Sequence, residues 1–78
     1  MTVQRVHLLW TGGWDSSFRL MQLLLIEQRP VQPIYVANAK RTVHLELRAI
    51  ETMRALLRPR LADPSLLAPL QMLSLIHI

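Results

Sequence analysis

The chain has 78 residues, of which 51% are hydrophobic, a mean hydropathy of +0.25 and a formal charge of +4. That length allows one small domain at most, and a core of this size supplies only about 3–5 kcal/mol net. The absence of cysteine excludes disulfides and thiolate metal sites; no apolar run approaches the ~18 residues of a membrane span.

The amino end also lacks the charged segment and long apolar stretch of a secretory signal, so a cytoplasmic location is expected. Eight of the nine basic residues are arginine. A basic balance suits phosphate-bearing ligands. The arginines are scattered, and one Phe and one Tyr offer little for base stacking, so nucleic acid is not read as a partner.

Residues 2–10 read as a strand. Val3 and the run Val6-His7-Leu8-Leu9-Trp10 are rich in β-branched and aromatic residues and nearly continuously apolar, the pattern of a strand buried on both faces of a parallel sheet. His7 reads as a structural histidine, since no partner at ligand spacing accompanies it.

Next stands Thr11-Gly12-Gly13-Trp14-Asp15-Ser16-Ser17, with the only two glycines side by side. Gly12 and Gly13 take positive φ without steric cost and project no side chain. A tight turn that opens directly into a helix aims several backbone N–H groups at one point, where the helix dipole adds positive charge. Such a turn is an anion site, and phosphate is the usual anion. Neither the Walker pattern nor the G-x-G-x-x-G fingerprint is present. Asp15 has two readings: a carboxylate that binds magnesium between itself and phosphate oxygens, or, like Ser16, an N-cap of the helix. Trp14 either caps the pocket or packs on the next helix.

Residues 16–28 read as a helix. Phe18, Met21 and Leu25 form one stripe and Leu20 with Leu24 another, widened by Leu23 and Ile26, so burial over much of its girth is expected. Arg29-Pro30 ends it. Residues 31–37 read as a second strand through Val31, Ile34, Tyr35 and Val36. Pro33 removes one ladder donor and implies an edge position or a bulge. Strand, helix and strand make a right-handed βαβ unit, and ligands of such sheets bind beyond the carboxyl ends of the strands. The loop after the second strand also falls at that edge, where Lys40 and Arg41 face either an anionic ligand or solvent.

Residues 43–58 read as a half-buried helix, with Leu47, Ile50, Met53 and Leu57 inward, Arg48, Glu51, Arg54 and Arg58 outward, and Glu46 in the first turn where the dipole favours an acid. Residues 62–78 read as an irregular apolar tail, interrupted by Pro64 and Pro69, after a βαβα unit over residues 1–61. The final Leu73-Ser74-Leu75-Ile76-His77-Ile78 resembles a peptide that recurs when sequencing-adapter DNA is read as coding sequence. An amino-terminal fragment of a longer protein is expected on that ground. In an incomplete sheet, exposed apolar faces would aggregate or pair with a second copy, so a homo-oligomer is a further expectation.

The run [S/T]-G-G-x-D-S resembles the PP-loop of the ATP pyrophosphatase (adenine nucleotide alpha-hydrolase-like) superfamily. Thr11 stands for the usual serine and keeps its hydroxyl; Gly12, Gly13, Asp15 and Ser16 match. The resemblance covers roughly residues 3–57. It implies the amino-terminal βαβα portion of a parallel-sheet, three-layer α/β/α (HUP-like) fold, with ATP and magnesium as cofactors. Thr11, Gly12, Gly13, Asp15, Ser16 and Ser17 would line the phosphates, with Asp15 helping to hold the magnesium. Trp10 and Val36, at the strand ends, would frame adenine or substrate, with Lys40 and Arg41 nearby.

The implied parent is a ligase that adenylates a small-molecule substrate and releases pyrophosphate. The finer pattern looks most like the 7-cyano-7-deazaguanine synthase branch of queuosine biosynthesis, with Arg41 and Glu46 at the second helix start. Asn38-Ala39-Lys40 replaces that branch's Tyr-Gly-Gln, and its cysteine zinc site is absent. Two other classes stay open: an adenine-nucleotide-binding module without catalysis, and a non-functional fragment. No general base or nucleophile emerges from the sequence.

Overall fold

The computed structural model describes residues 4–37 and 42–74. The order is β1 (Val6–Leu9), α1 (Trp14–Met21), β2 (Val31–Ala37), α2 (Val43–Leu57) and β3 (Gln71–Ser74). The strands form one parallel sheet in the order β1-β2-β3. The chain is thus a small α/β domain with a three-stranded parallel sheet and two helices. No helix among the described residues is long and apolar enough to cross a membrane.

Both helices lie on one face of the sheet. Val6 and Leu8 stand opposite Val31 and Pro33 in the register, and alternation continues that face through Trp10, Tyr35 and Ala37. Trp10 meets α1 through Ser17, and Tyr35 meets α2 through Glu46. The core sits in this layer: Trp10, Leu20, Leu23, Leu24, Val31, Tyr35, Ile50 and Leu57 are buried together, each large apolar side chain contributing roughly 1.5–3 kcal/mol.

His7, Leu9, Ile34, Val36 and Leu73 point to the other face, where the described residues place no helix. Leu9 is consequently 61% exposed, and β1 is buried on one face rather than the two expected from its apolar run. The same holds for α1. Its Ser17, Leu20 and Leu24 side is buried, whereas Phe18 and Leu25, expected inside, are exposed. The α-helix also ends earlier than its apolar pattern, and Gln22–Ile26 continues as a π-helical turn closed by Glu27 N–H to Gln22 O at 2.9 Å.

The segment expected to be irregular contains an ordered strand. After two short 3₁₀ turns, Arg58–Arg60 and Pro64–Leu66, Leu67 and Ala68 are buried and β3 pairs with β2. Prolines and the lack of a hydrophobic period hide this strand from sequence reading; the pairing is imposed by the open edge of β2. Asp63 accepts hydrogen bonds from Ser65 Oγ and N–H at 2.7 and 3.0 Å. These bonds hold its carboxyl below the ordinary carboxylate range. Arg54 Nη1 donates to Ala68 O at 2.9 Å; burial, and secondarily Arg58, lower its guanidinium from the ordinary value.

Pro33 lies in the central strand, not at an edge, and it is the bulge that accommodates it. Val31 bridges Leu67, and the ladder resumes at Ile34 opposite Gln71. Gln32 and Pro33 therefore face three residues, Ala68, Pro69 and Leu70. Pro30 and Ile34 carbonyls accept from β1, while the Val31 carbonyl accepts from Ala68. That alternation turns the Pro33 nitrogen toward the bulge. Gln32 Nε2 spans the gap, donating to Pro69 O at 2.9 Å and Pro33 O at 3.0 Å.

Arg5 ties the two ends of the described chain together. Its guanidinium donates to Ser65 O at 3.0 Å and Leu66 O at 3.2 Å. Arg5→Ala should lower the unfolding free energy by about 1–2 kcal/mol, and Arg5→Lys should recover only part, because one ammonium nitrogen replaces the two guanidinium nitrogens that reach separate carbonyls. Urea denaturation followed by circular dichroism measures both.

Candidate functional site

β1 delivers the chain to the carboxyl edge of the sheet, where Trp10 drops into the core at 0% exposure and Thr11 begins the turn. Gly12 takes φ +83°, and Gly13, at φ −86° and ψ 178°, is the N-cap of α1. Side-chain hydroxyls close the turn. Thr11 N–H donates to Ser16 Oγ at 3.2 Å, the Thr11 and Ser16 hydroxyls lie 3.3 Å apart, and Gly13 N–H donates to Thr11 Oγ1 at 3.3 Å. Ser17 N–H reaches Gly13 O at 3.1 Å. The N–H groups of Trp14, Asp15 and Ser16 take no acceptor among the described residues.

No side chain caps α1. This removes the capping reading of both Asp15 and Ser16: Asp15 is exposed in the first turn, and Ser16 is turned back to Thr11. Ser17 is buried, and its Oγ accepts the Trp10 indole N–H at 3.0 Å. Trp10 therefore acts in the core, holding the start of α1 against β1, rather than presenting a face to a ligand. Val36 is half-buried on the face away from the helices. Lys40 and Arg41 lie outside the described residues. The structure thus gathers Thr11, Gly12, Gly13, Asp15 and Ser16 at one open turn, with Ser17 behind them.

A groove of about 270 Å³ opens beside the turn, lined by Gly12, Gly13, Trp14, Ser17, Met21 and Met53. Met53 belongs to α2, so the groove runs between the helices. Trp14 neither covers the groove nor packs on α2 in the manner of a core residue: it stands at the mouth, 84% exposed. Sequence reading placed Met21 and Met53 on core stripes; their half-buried positions make them groove wall as well. Among the described residues no group of three or more His, Cys, Asp or Glu is placed to hold a metal ion.

Tyr35 is a site residue that sequence reading missed. It is buried, and its hydroxyl donates to Glu46 Oε1 at 2.5 Å. The signal was available: a tyrosine near the end of a buried strand needs a partner for its hydroxyl, and an acid stands in the first turn of the next helix.

The two glycines differ in what demands them. At Gly12 a Cβ would stand 3.2 Å from Glu46 O and 3.5 Å from Ala49 Cβ, at a φ that side chains rarely adopt. At Gly13 the backbone is extended, and a Cβ would meet only Thr11 Oγ1 at 3.4 Å. The first glycine is demanded by its backbone conformation and the approach of α2; the second is under no such steric demand and stands at the N-cap of α1, a position glycine favours.

No protein-family model, no curated protein and no solved structure matches this chain.

Gly12→Ala should cost about 2 kcal/mol of stability, from the left-handed backbone and the approach of α2. Gly13→Ala should cost less, about 0.5–1 kcal/mol, from the loss of a favoured N-cap residue. Paired urea titrations of the two variants measure the contrast.

Proposed function

We propose that the turn holds the phosphate tail of ATP, and that the chain is the ATP-binding portion of a PP-loop ligase with a HUP-like fold. The observation that carries this reading is Gly13. It lines the groove without a side chain, where a Cβ would meet only Thr11 Oγ1 at 3.4 Å; glycine also suits the N-cap it occupies, so the open space supports a ligand together with the helix end beside it. The N–H groups of Trp14, Asp15 and Ser16, without an acceptor among the described residues, open a helix whose dipole favours an anion. The turn also lies beyond the carboxyl end of β1 in a parallel sheet, where ligands of open α/β sheets bind.

In this reading the backbone donors and the Thr11 and Ser16 hydroxyls bind the β- and γ-phosphates. Asp15, exposed and without a side-chain hydrogen bond among the described residues, is the carboxylate of the turn that would help hold a magnesium ion. Bound magnesium supplies charge neutralisation of the leaving pyrophosphate. A substrate oxygen attacks the α-phosphorus, the bond from that phosphorus to the bridging oxygen breaks, and pyrophosphate departs with the electron pair. The residues of the turn act by holding that developing charge in preset dipoles. The deazaguanine branch remains the substrate family that the resemblance favours.

A second reading, nucleotide binding without turnover, is favoured by the lining of the groove, which holds no titratable side chain. Formation of AMP and pyrophosphate from ATP and magnesium supports the ligase; saturable binding with neither product supports the module.

Wild-type protein should bind ATP with magnesium, read by quenching of the exposed Trp14. Gly13→Val should weaken that binding by at least about tenfold while the variant stays folded by circular dichroism, and Asp15→Asn should remove most of its magnesium dependence. Equal affinity of Gly13→Val and wild type would falsify the phosphate assignment.

A further inference from the structure

We infer that Glu46 is a positioning residue for the glycine turn, acting through α2, and that Tyr35 is the anchor against which it acts. The inference begins with what touches Gly12. The closest atom to a Cβ built there is the main-chain oxygen of Glu46, at 3.2 Å, followed by Ala49 Cβ and Ile50 Cγ1. The side of the turn that a Cβ at Gly12 would face is therefore the amino-terminal half of α2. A shift of α2 would change the room left to the chain at Gly12.

What holds that part of α2 is the side chain of the same residue. Glu46 Oε1 accepts the Tyr35 hydroxyl at 2.5 Å, and Tyr35 is 1% exposed in the central strand. A hydroxyl bonded to a carboxylate is among the shorter and stronger hydrogen bonds available to side chains. Glu46 N–H bonds Thr42 O at 3.1 Å, so the residue is also fixed in the opening turn of the helix. One residue thus grips β2 with its carboxylate and abuts Gly12 with its carbonyl. Tyr35, Glu46 and Gly12 form a chain of contacts from the middle of the sheet to the turn. Neither Tyr35 nor Glu46 lines the groove, so their effect on a ligand is through geometry.

The consequence for nucleotide affinity rests on the phosphate reading; the consequence for the turn does not. Gly12 and Gly13 are the only glycines in the chain, so their amide signals are readily assigned in a ¹⁵N–¹H correlation spectrum. Tyr35→Phe removes only the hydroxyl, Glu46→Ala removes the acceptor, and Glu46→Gln keeps an oxygen for Tyr35. Tyr35→Phe and Glu46→Ala should each move the Gly12 and Gly13 signals and weaken ATP binding by about tenfold, and the double variant should do no more than either alone. Glu46→Gln should restore the wild-type signals and bring affinity back to within about threefold. If Glu46→Ala is poorly folded, Tyr35→Phe carries the test, because it leaves the buried ring in place.

Glycine signals that stay in place in Tyr35→Phe and Glu46→Ala, or a double variant whose effects simply add, overturn the inference. Wild-type protein that binds no ATP overturns the phosphate reading instead, and the amide signals still decide the role of Glu46.

Discussion

The carboxyl edge of this sheet depends on one steric constraint: α2 comes close enough to the chain at Gly12, itself at φ +83°, that a Cβ there would crowd the Glu46 carbonyl at 3.2 Å. A turn from strand to helix has many solutions when its flank is solvent. Here the backbone of Glu46 forms the flank, and φ +83° at Gly12 is the conformation that clears it. The hydroxyls of Thr11 and Ser16 then knit the short loop across its own base. The free N–H groups of α1 point where they do because the loop has been pressed into that shape from the α2 side. The site is therefore a property of a helix pair and a strand, not of a seven-residue motif by itself.

Among the described residues, that dependence sits in a sheet covered by helices on one face. The helix layer is dry: Trp10, Tyr35, Leu20 and Ile50 are all at or below 1% exposure, and the polar groups that enter the layer are matched. The Trp10 indole has Ser17, and the Tyr35 hydroxyl has Glu46, which meets the requirement that buried polar atoms find partners. The opposite face shows Leu9 and Leu73 to solvent, and α1 shows a second apolar stripe beginning at Trp14 and Phe18. Parallel sheets are normally covered on both faces. The rigidity of the turn thus comes wholly from the covered side, and this is the side on which all three of its supports lie.

The same asymmetry explains which parts of the fold were legible in the sequence. The order of elements and the parallel βαβ unit followed from local signals: β-branched runs, a helical period, and proline at the ends. Pro33 announced an irregularity in pairing, and a bulge opposite it is what the structure holds. Misreadings arose where burial depends on partners distant in sequence. Leu9 and Phe18 have the character of core residues, and no periodicity tells whether a second layer covers them. Gln71–Ser74 lacks any strand pattern; it is ordered by the edge it meets. In the site, the resemblance located the turn and set Ser17 among the phosphate-lining residues; Ser17 lines the groove, and its hydroxyl accepts the Trp10 indole N–H that holds Trp10 in the core. The Tyr35–Glu46 bond escaped notice because its partners sit on different elements, 11 residues apart in sequence.

Two adjacent glycines therefore answer two different demands, and separating them shows how a binding turn can be read. A glycine required by positive φ and a neighbouring backbone says nothing about ligands, since the fold would insist on it in any case. A glycine in ordinary extended backbone, lining an open groove with only a hydroxyl near its missing Cβ, is under no steric demand, and its place at the N-cap of α1 is one that glycine favours. Gly12 makes the turn possible by admitting α2, and α2 is held by Glu46 on Tyr35. Gly13 keeps clear the space that this arrangement aims at. The structural half of that pair is set by contacts within the chain, and the ligand half is the one to which phosphate chemistry gives a physical reason.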